Sequence, residues 1–94
     1  MSEYELEKDT ILSKISRYEL VRGKDAEKIF IDIHHILSDE NKGVFVAVPN
    51  NSLQSAKQNY IMSGTSEDEV LRLCLESIKG VENRDILNSK ENKS

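Results

Sequence analysis

The sequence has a single cysteine, a single proline, few aromatic residues and no tryptophan. One thiol excludes an intramolecular disulfide framework, so a reducing compartment is expected, with a cytoplasmic location as the default. No stretch approaches the roughly 20 apolar residues of a membrane span, and no membrane partner is expected. The opening MSEYELEKD is acidic, the reverse of the basic start of a secretory leader. The runs of Pro, Gly or Ser that mark disordered chains are also missing. Basic charge is not in surplus: 13 Lys and Arg against 17 Asp and Glu give a net charge of −4, mixed along the chain. Nucleic-acid binders concentrate Lys and Arg on one face, so such a partner is not expected. There is no P-loop, no G-x-G-x-x-G and no G-x-S-x-G, and no cofactor is expected.

What is present organises around Thr65–Gly80 (TSEDEVLRLCLESIKG). Ser66 and Glu69 have the spacing of a capping box, in which each side chain satisfies the other residue's free backbone N–H. Glu67, Asp68 and Glu69 lie at the positive end of the helix dipole and Lys79 at the negative end. Val70, Leu71, Cys74, Leu75 and Ile78 form one apolar stripe, and Gly80 can take the left-handed conformation that closes a helix.

Ninety-four residues make one domain with a modest core. Residues 1–82 are expected to form that domain and residues 83–94 a polar, flexible tail, in which only Ile86 and Leu87 could dock. In chain order, Glu3–Ser16 reads as an amphipathic helix with Leu6, Ile11, Leu12 and Ile15 on its stripe. Arg17–Arg22 (RYELVR) is either the end of that helix or a short strand, and Gly23 ends it. Asp25–Ser38 fits a helix through Ala26, Ile29, Phe30, Ile33, Ile36 and Leu37, with only Ile31 off the stripe. Its β-branched content argues for a strand, but its length favours the helix. Ser38–Gly43 is a turn by composition. Val44–Pro49 (VFVAVP) is apolar at nearly every position and reads as a strand covered on both faces or central in its sheet. Lys57–Ser63 reads as a second strand, antiparallel to the first, with Tyr60 and Met62 on one face and Ile61 on the other. The expected fold is α+β: a two-layer sandwich of a small antiparallel sheet of two or three strands, with helices packed on one face.

If residues 25–38 were a strand, the order helix, three strands, helix would resemble the layout of double-stranded RNA-binding domains, with Gly64-Thr65-Ser66 opening the last helix. That resemblance implies phosphate-holding lysines in the first turn. Glu67, Asp68 and Glu69 stand there instead and would repel a nucleic-acid backbone. The hairpin followed by a helix with a Ser/Thr-Glu opening is similar, over part of the chain, to small antitoxin sheets of the HicB type, without that family's strand sequences.

Candidate chemistry is sparse. On a helix, Asp32, His35 and Asp39 would line one side at i, i+3 and i+7, a weak metal-ligand set against the ordinary reading of a solvated face. Neighbouring His34 and His35 point about 100° apart on a helix and cannot grip one ion together. Cys74 sits inside the apolar stripe without a nearby cation, as a packed small hydrophobe does. Segments 49–52 and 63–66 carry small hydrogen-bonding residues, but acidic side chains already occupy the helix start beside the second. Arg17, Arg22, Lys24 and Lys28 form the one locally basic stretch, interleaved with Glu19, Asp25 and Glu27. The function expected is therefore a non-enzymatic protein-interaction module (a regulator, adaptor or inhibitor) binding a protein partner or a second copy of itself as a homodimer. Tyr18, Phe45, Tyr60 and Met62, with Tyr4, are its candidate interface residues. The alternatives are a small ligand- or metal-binding protein or enzyme using Asp32 and His35 or Cys74, and a nucleic-acid-associated regulator acting through residues 17–28.

Overall fold

In the computed structural model, which describes residues 5–38 and 40–88, the segment with the most ambiguous pattern becomes the centre of the sheet. Ile29, Ile31 and Ile33 alternate with Phe30, Asp32 and His34, and the backbone adopts that period of two: Glu27–Ile36 is strand β2. The helix expected over 25–38 does not form. A helix leaves Ile31 off its apolar stripe, whereas the strand buries Ile29, Ile31 and Ile33 together at no more than 1% exposure.

β2 pairs on one side with β1 (Ser13–Arg22), in an unbroken register from Ser13↔Ile36 to Arg22↔Glu27. The helix expected over Glu3–Ser16 is also overturned: residues 5–12 carry no helix, and Ser13–Ser16 continues RYELVR into one ten-residue strand. Pairing with β2 satisfies the backbone of every second residue along the segment, and a short isolated helix is marginal in water. On its other side β2 pairs with β3 (Phe45–Asn50), and β3 pairs with the three-residue β4 (Met62–Gly64). The order is β1-β2-β3-β4, every pair antiparallel. The sheet is thus larger than the two or three strands expected. With strands where the first helix was expected, the order of an RNA-binding domain is lost.

Pro49 does not end β3, which runs on to Asn50. Ile36 N–H donates to Val44 O (3.0 Å), so even-numbered β3 residues bond to β2 and Pro49, opposite Ile31, faces its backbone the other way. β4 stops short of it, and the Pro49 carbonyl accepts from Ala56 N–H (2.9 Å) instead. The second expected strand, Lys57–Ser63, is cut to its end: Gln58–Tyr60 forms a 3-10 turn, because Lys57 N–H is used on Ile86 O (2.8 Å).

Helix α1 (Glu67–Ile78) forms where expected. Ser66 Oγ accepts from Glu69 N–H (3.1 Å), but Glu69 Oε1 reaches past Ser66 to Thr65 N–H (2.9 Å) and Thr65 Oγ1 (3.2 Å). The reciprocal half of the capping box is therefore displaced by one residue. Gly64 permits this approach, since a Cβ there would lie 2.7 Å from Glu69 Oε1 and 3.1 Å from Val70 Cγ1. Val70, Cys74 and Ile78 are buried over the sheet, while Leu75 is 38% exposed at the rim. Gly80 closes the helix at φ +77°.

Of the segment 83–94 expected as a tail, residues 83–88 pack on the domain through Ile86 and Leu87, the two residues expected to be able to dock, and residues 89–94 lie outside the described residues. Asn83–Ile86 forms the short helix α2, and Ile86 and Leu87 enter the core. Leu87 bridges to Ala56, and Asn88 N–H donates to Ser55 O (3.0 Å). Arg22 ties this end together: its guanidinium donates to Ile78 O (2.8 Å) at the end of α1 and to Asn83 Oδ1 (2.6 Å) in α2. The fold is α+β, an antiparallel sheet packed against one main helix. No helix among the described residues is long and apolar enough to cross a membrane.

Two stability outcomes follow from these contacts. Arg22→Ala is expected to lower the free energy of unfolding by about 1–3 kcal/mol in urea melts, through lost charge-assisted bonds and unpaired acceptors. Arg22→Lys should recover only part of that, since an ammonium lacks the fork that reaches both oxygens. Wild-type stability in Arg22→Ala would rule out the clamp.

Candidate functional site

The sheet register sorts every strand residue onto one of two faces. Beneath α1 lie Leu20 and Tyr18 of β1, Ile29, Ile31 and Ile33 of β2, Ala47 and Phe45 of β3, and Met62 of β4. On the opposite face lie Ile15, Arg17, Glu19 and Val21 of β1, Phe30, Asp32, His34 and Ile36 of β2, and Val46 and Val48 of β3. The VFVAVP composition implies a strand covered on both faces or central in its sheet; β3 is central, between β2 and β4, and no described helix or strand packs over its second face. Ile15 and Val21 remain 55% and 59% exposed there.

At the centre of the open face, Arg17 grips Asp32 across the β1–β2 pair through two parallel bonds, Nε to Oδ1 at 2.7 Å and Nη2 to Oδ2 at 2.9 Å. The guanidinium also lies over the Phe30 ring, 4.4 Å from its centroid, a cation–π arrangement that holds it flat on the sheet. Its remaining contacts, with Ser52 Oγ and Asn50 Oδ1, are long at 3.5 Å. Asn50 is buried and shapes the neighbouring loop: its Oδ1 accepts from Ser52 N–H (2.9 Å) and its Nδ2 donates to Val48 O (3.2 Å). Asn51 Oδ1 in turn accepts from Leu53 N–H (3.0 Å) and Gln54 N–H (2.7 Å). A shallow depression of about 270 Å³ opens here, lined by Arg17, Asp32, His34, Val48, Asn50 and Ser52, among others. The Arg17 hydrogen bonds hold the Asp32 carboxyl below its ordinary range, against the opposing effect of its partial burial. Asp32 is therefore an ion-pair partner committed to Arg17, and not a base awaiting a substrate.

The metal-ligand set expected on a helix is dispersed by the strand. Asp32 faces the open side, His35 faces the helix side and stacks on Phe45 (ring centroids 4.1 Å apart, 12° between planes), and Asp39 lies outside the described residues. Among the described residues no three His, Cys, Asp or Glu side chains converge on one point. Cys74 is fully buried, and desolvation pushes its thiol up to about 11. The basic stretch is divided as well. Arg17 serves Asp32, Lys28 pairs with Glu19 at 3.4 Å on the open side, and Arg22 turns under α1.

Of the aromatic and Met candidates, Phe45, Tyr60 and Met62 pack against the core on the helix side. Tyr18 sits at the edge of that side, 36% exposed, with its hydroxyl on the Glu67 carboxylate. Tyr4 lies outside the described residues. Composition alone did not single out the open-face residues, namely Ile15, Phe30, Ile36, Val46 and Val48. Their signal was the absence of polar alternation in 44–49, together with apolar residues at both parities of 29–36. No protein-family model, curated protein or solved structure matches the chain.

The Arg17–Asp32 pair sets a pH signature. Because the folded carboxyl titrates below its ordinary value of 3.8, the stability it contributes is present above about pH 4 and is lost as pH falls through the lowered folded value. Asp32→Asn is expected to be less stable at neutral pH and to show a flatter acid limb in unfolding titrations, whereas an unchanged limb would exclude the pair as its source. Cys74 is expected to resist an aromatic disulfide reagent in the native state and to react at once in denaturant. Fast native labelling would contradict its burial.

Proposed function

We propose that this chain is a non-enzymatic protein-interaction module of the cytoplasm, and that it receives a protein partner or a second copy of itself on the helix-free side of its sheet. One observation carries this reading: β3 is apolar on both faces and β2 adds Phe30 and Ile36 to the second, where these side chains are half-buried and no described helix or strand packs over them. Phe30, Ile36, Val46 and Val48 share this face with His34 and the Arg17–Asp32 pair, a mixture of apolar side chains and a fixed polar pair that protein interfaces use. A neutralised arginine among hydrophobic side chains supplies register and selectivity without attracting polyanions in bulk. The lone buried cysteine and the acidic balance agree with a cytoplasmic setting.

The reading is tested by placing a photo-reactive side chain at Val46 on the open face and, separately, at Leu73 on the outer side of α1. Covalent capture of a discrete protein species from Val46 alone, abolished by Val48→Lys, is the expected result. Equal capture from both positions, or none from Val46, would sink the proposal.

A further inference from the structure

The outer edge of β1 carries a pattern that matches itself. Leu37 N–H donates to Leu12 O (2.8 Å), and the register then assigns the even residues of β1 to the ladder with β2. The N–H and C=O groups of Ser13, Ile15, Arg17, Glu19 and Val21 therefore point away from the sheet. No described segment pairs with them, no proline interrupts them, and the ten-pair register leaves no bulge to twist the edge away. A long, regular edge of this kind is a template for another strand.

We propose that two copies of this chain pair antiparallel along β1, about a two-fold axis at Tyr18, to form one eight-stranded sheet. The proposal goes beyond the interaction reading above, since it uses the edge of the sheet and leaves the open face free. Charge and shape choose both the partner and the register. Centred on Tyr18, Arg17 lies opposite Glu19 of the second copy and Ile15 opposite its Val21, and symmetry makes each match twice. Centred on Arg17, the two arginines would face each other and Ile15 would face Glu19. Centred on Ser16, Ile15 would face Arg17. Centred on Glu19, two glutamates would meet. Only the Tyr18 register sets opposite charge against opposite charge and apolar against apolar.

The local geometry accommodates that register. Arg17 spends Nε and Nη2 on Asp32 and keeps Nη1, whose one contact is the long approach to Ser52, for a further carboxylate. Among the described residues Glu19 has one ion pair, an exposed one with Lys28. On the helix side the two Tyr18 rings meet at a non-hydrogen-bonded position, where side chains come closest. Lys14 falls opposite Arg22 of the second copy, but the Arg22 guanidinium is turned inward onto Ile78 O and Asn83. The axis stands perpendicular to the sheet, so both α1 helices stay on one side and the two open faces merge into a single surface.

Sedimentation equilibrium of the full chain from micromolar to millimolar concentration tests the pairing, and cysteine cross-linking tests the register. A reversible dimer is expected. Glu19→Arg sets like charges opposite each other twice and should raise its dissociation constant about 10-fold or more, with little change in the thermal unfolding of the monomer. Tyr18→Cys should form a covalent dimer on mild oxidation and Ser16→Cys should not, while buried Cys74 stays silent in both. A monomer at every concentration overturns the proposal. So does a dimer indifferent to Glu19→Arg, or one cross-linked equally from Ser16→Cys. A monomer that still captures a protein through Val46 removes only the self-pairing, and a dimer without capture at Val46 removes only the open-face reading.

Discussion

Burial of Ile29, Ile31 and Ile33 beneath Val70, Cys74 and Ile78 is the contact on which the rest of the molecule depends. Each fully buried isoleucine contributes about 2–3 kcal/mol, so this one seam supplies a large share of a small domain's stability. It is made by a twelve-residue helix, about 18 Å long, lying over β3, β4 and β2, whereas the ten-residue strands β1 and β2 reach about 34 Å. One helix of that length covers one face and part of its extent. The devices around it close its margins: the Thr65–Glu69 cap fixes where it starts, Arg22 holds its last carbonyls, and α2 brings Ile86 and Leu87 under the end it does not reach. Nothing among the described residues is left over for the other face.

That same shortage explains which parts of the fold were legible in the sequence. α1 was legible because its signals are local: a cap, an acidic first turn, a stripe and a glycine at positive φ all fall within sixteen residues. Residues 25–38 were misread because helix and strand templates differ only in which apolar positions they count. A strand with one solvated face would have shown polar residues at 30, 32, 34 and 36. Phe30 and Ile36 stand at two of them, on the open face, and they completed a helical stripe that the structure does not use. The misreading and the candidate site therefore share one cause, namely apolar side chains on a face that no described helix or strand covers. Ser13–Arg22 was obscured differently, since long-range pairing with β2 outweighs weak local periodicity and no single-segment pattern reports it.

The candidate chemistry fared according to how far it depended on that assignment. Cys74 needed only the α1 stripe and is buried as its neighbours implied. Asp32 and His35 needed a helix, and a strand sends residues three apart to opposite faces. Phe45, Tyr60 and Met62 were chosen by residue type, and type does not distinguish a core aromatic from an interface one. The register does so for Phe45 and Met62, which it turns toward α1, while Tyr60, in the turn before β4, packs against the same core.

The Arg17–Asp32 pair gives the open face a property that apolar area alone lacks. Covering it with an unmatched hydrophobic surface would desolvate a charged pair whose Nη1 group still seeks an acceptor, and that penalty opposes indiscriminate association. A partner that brings a carboxylate to Nη1 avoids the penalty and gains a charge-assisted bond. Glu19 of a second copy stands opposite Arg17 in such a β-ladder and brings one by exchanging its exposed contact with Lys28. The same pair that keeps an uncovered apolar sheet from sticking to everything thus selects what is allowed to cover its edge.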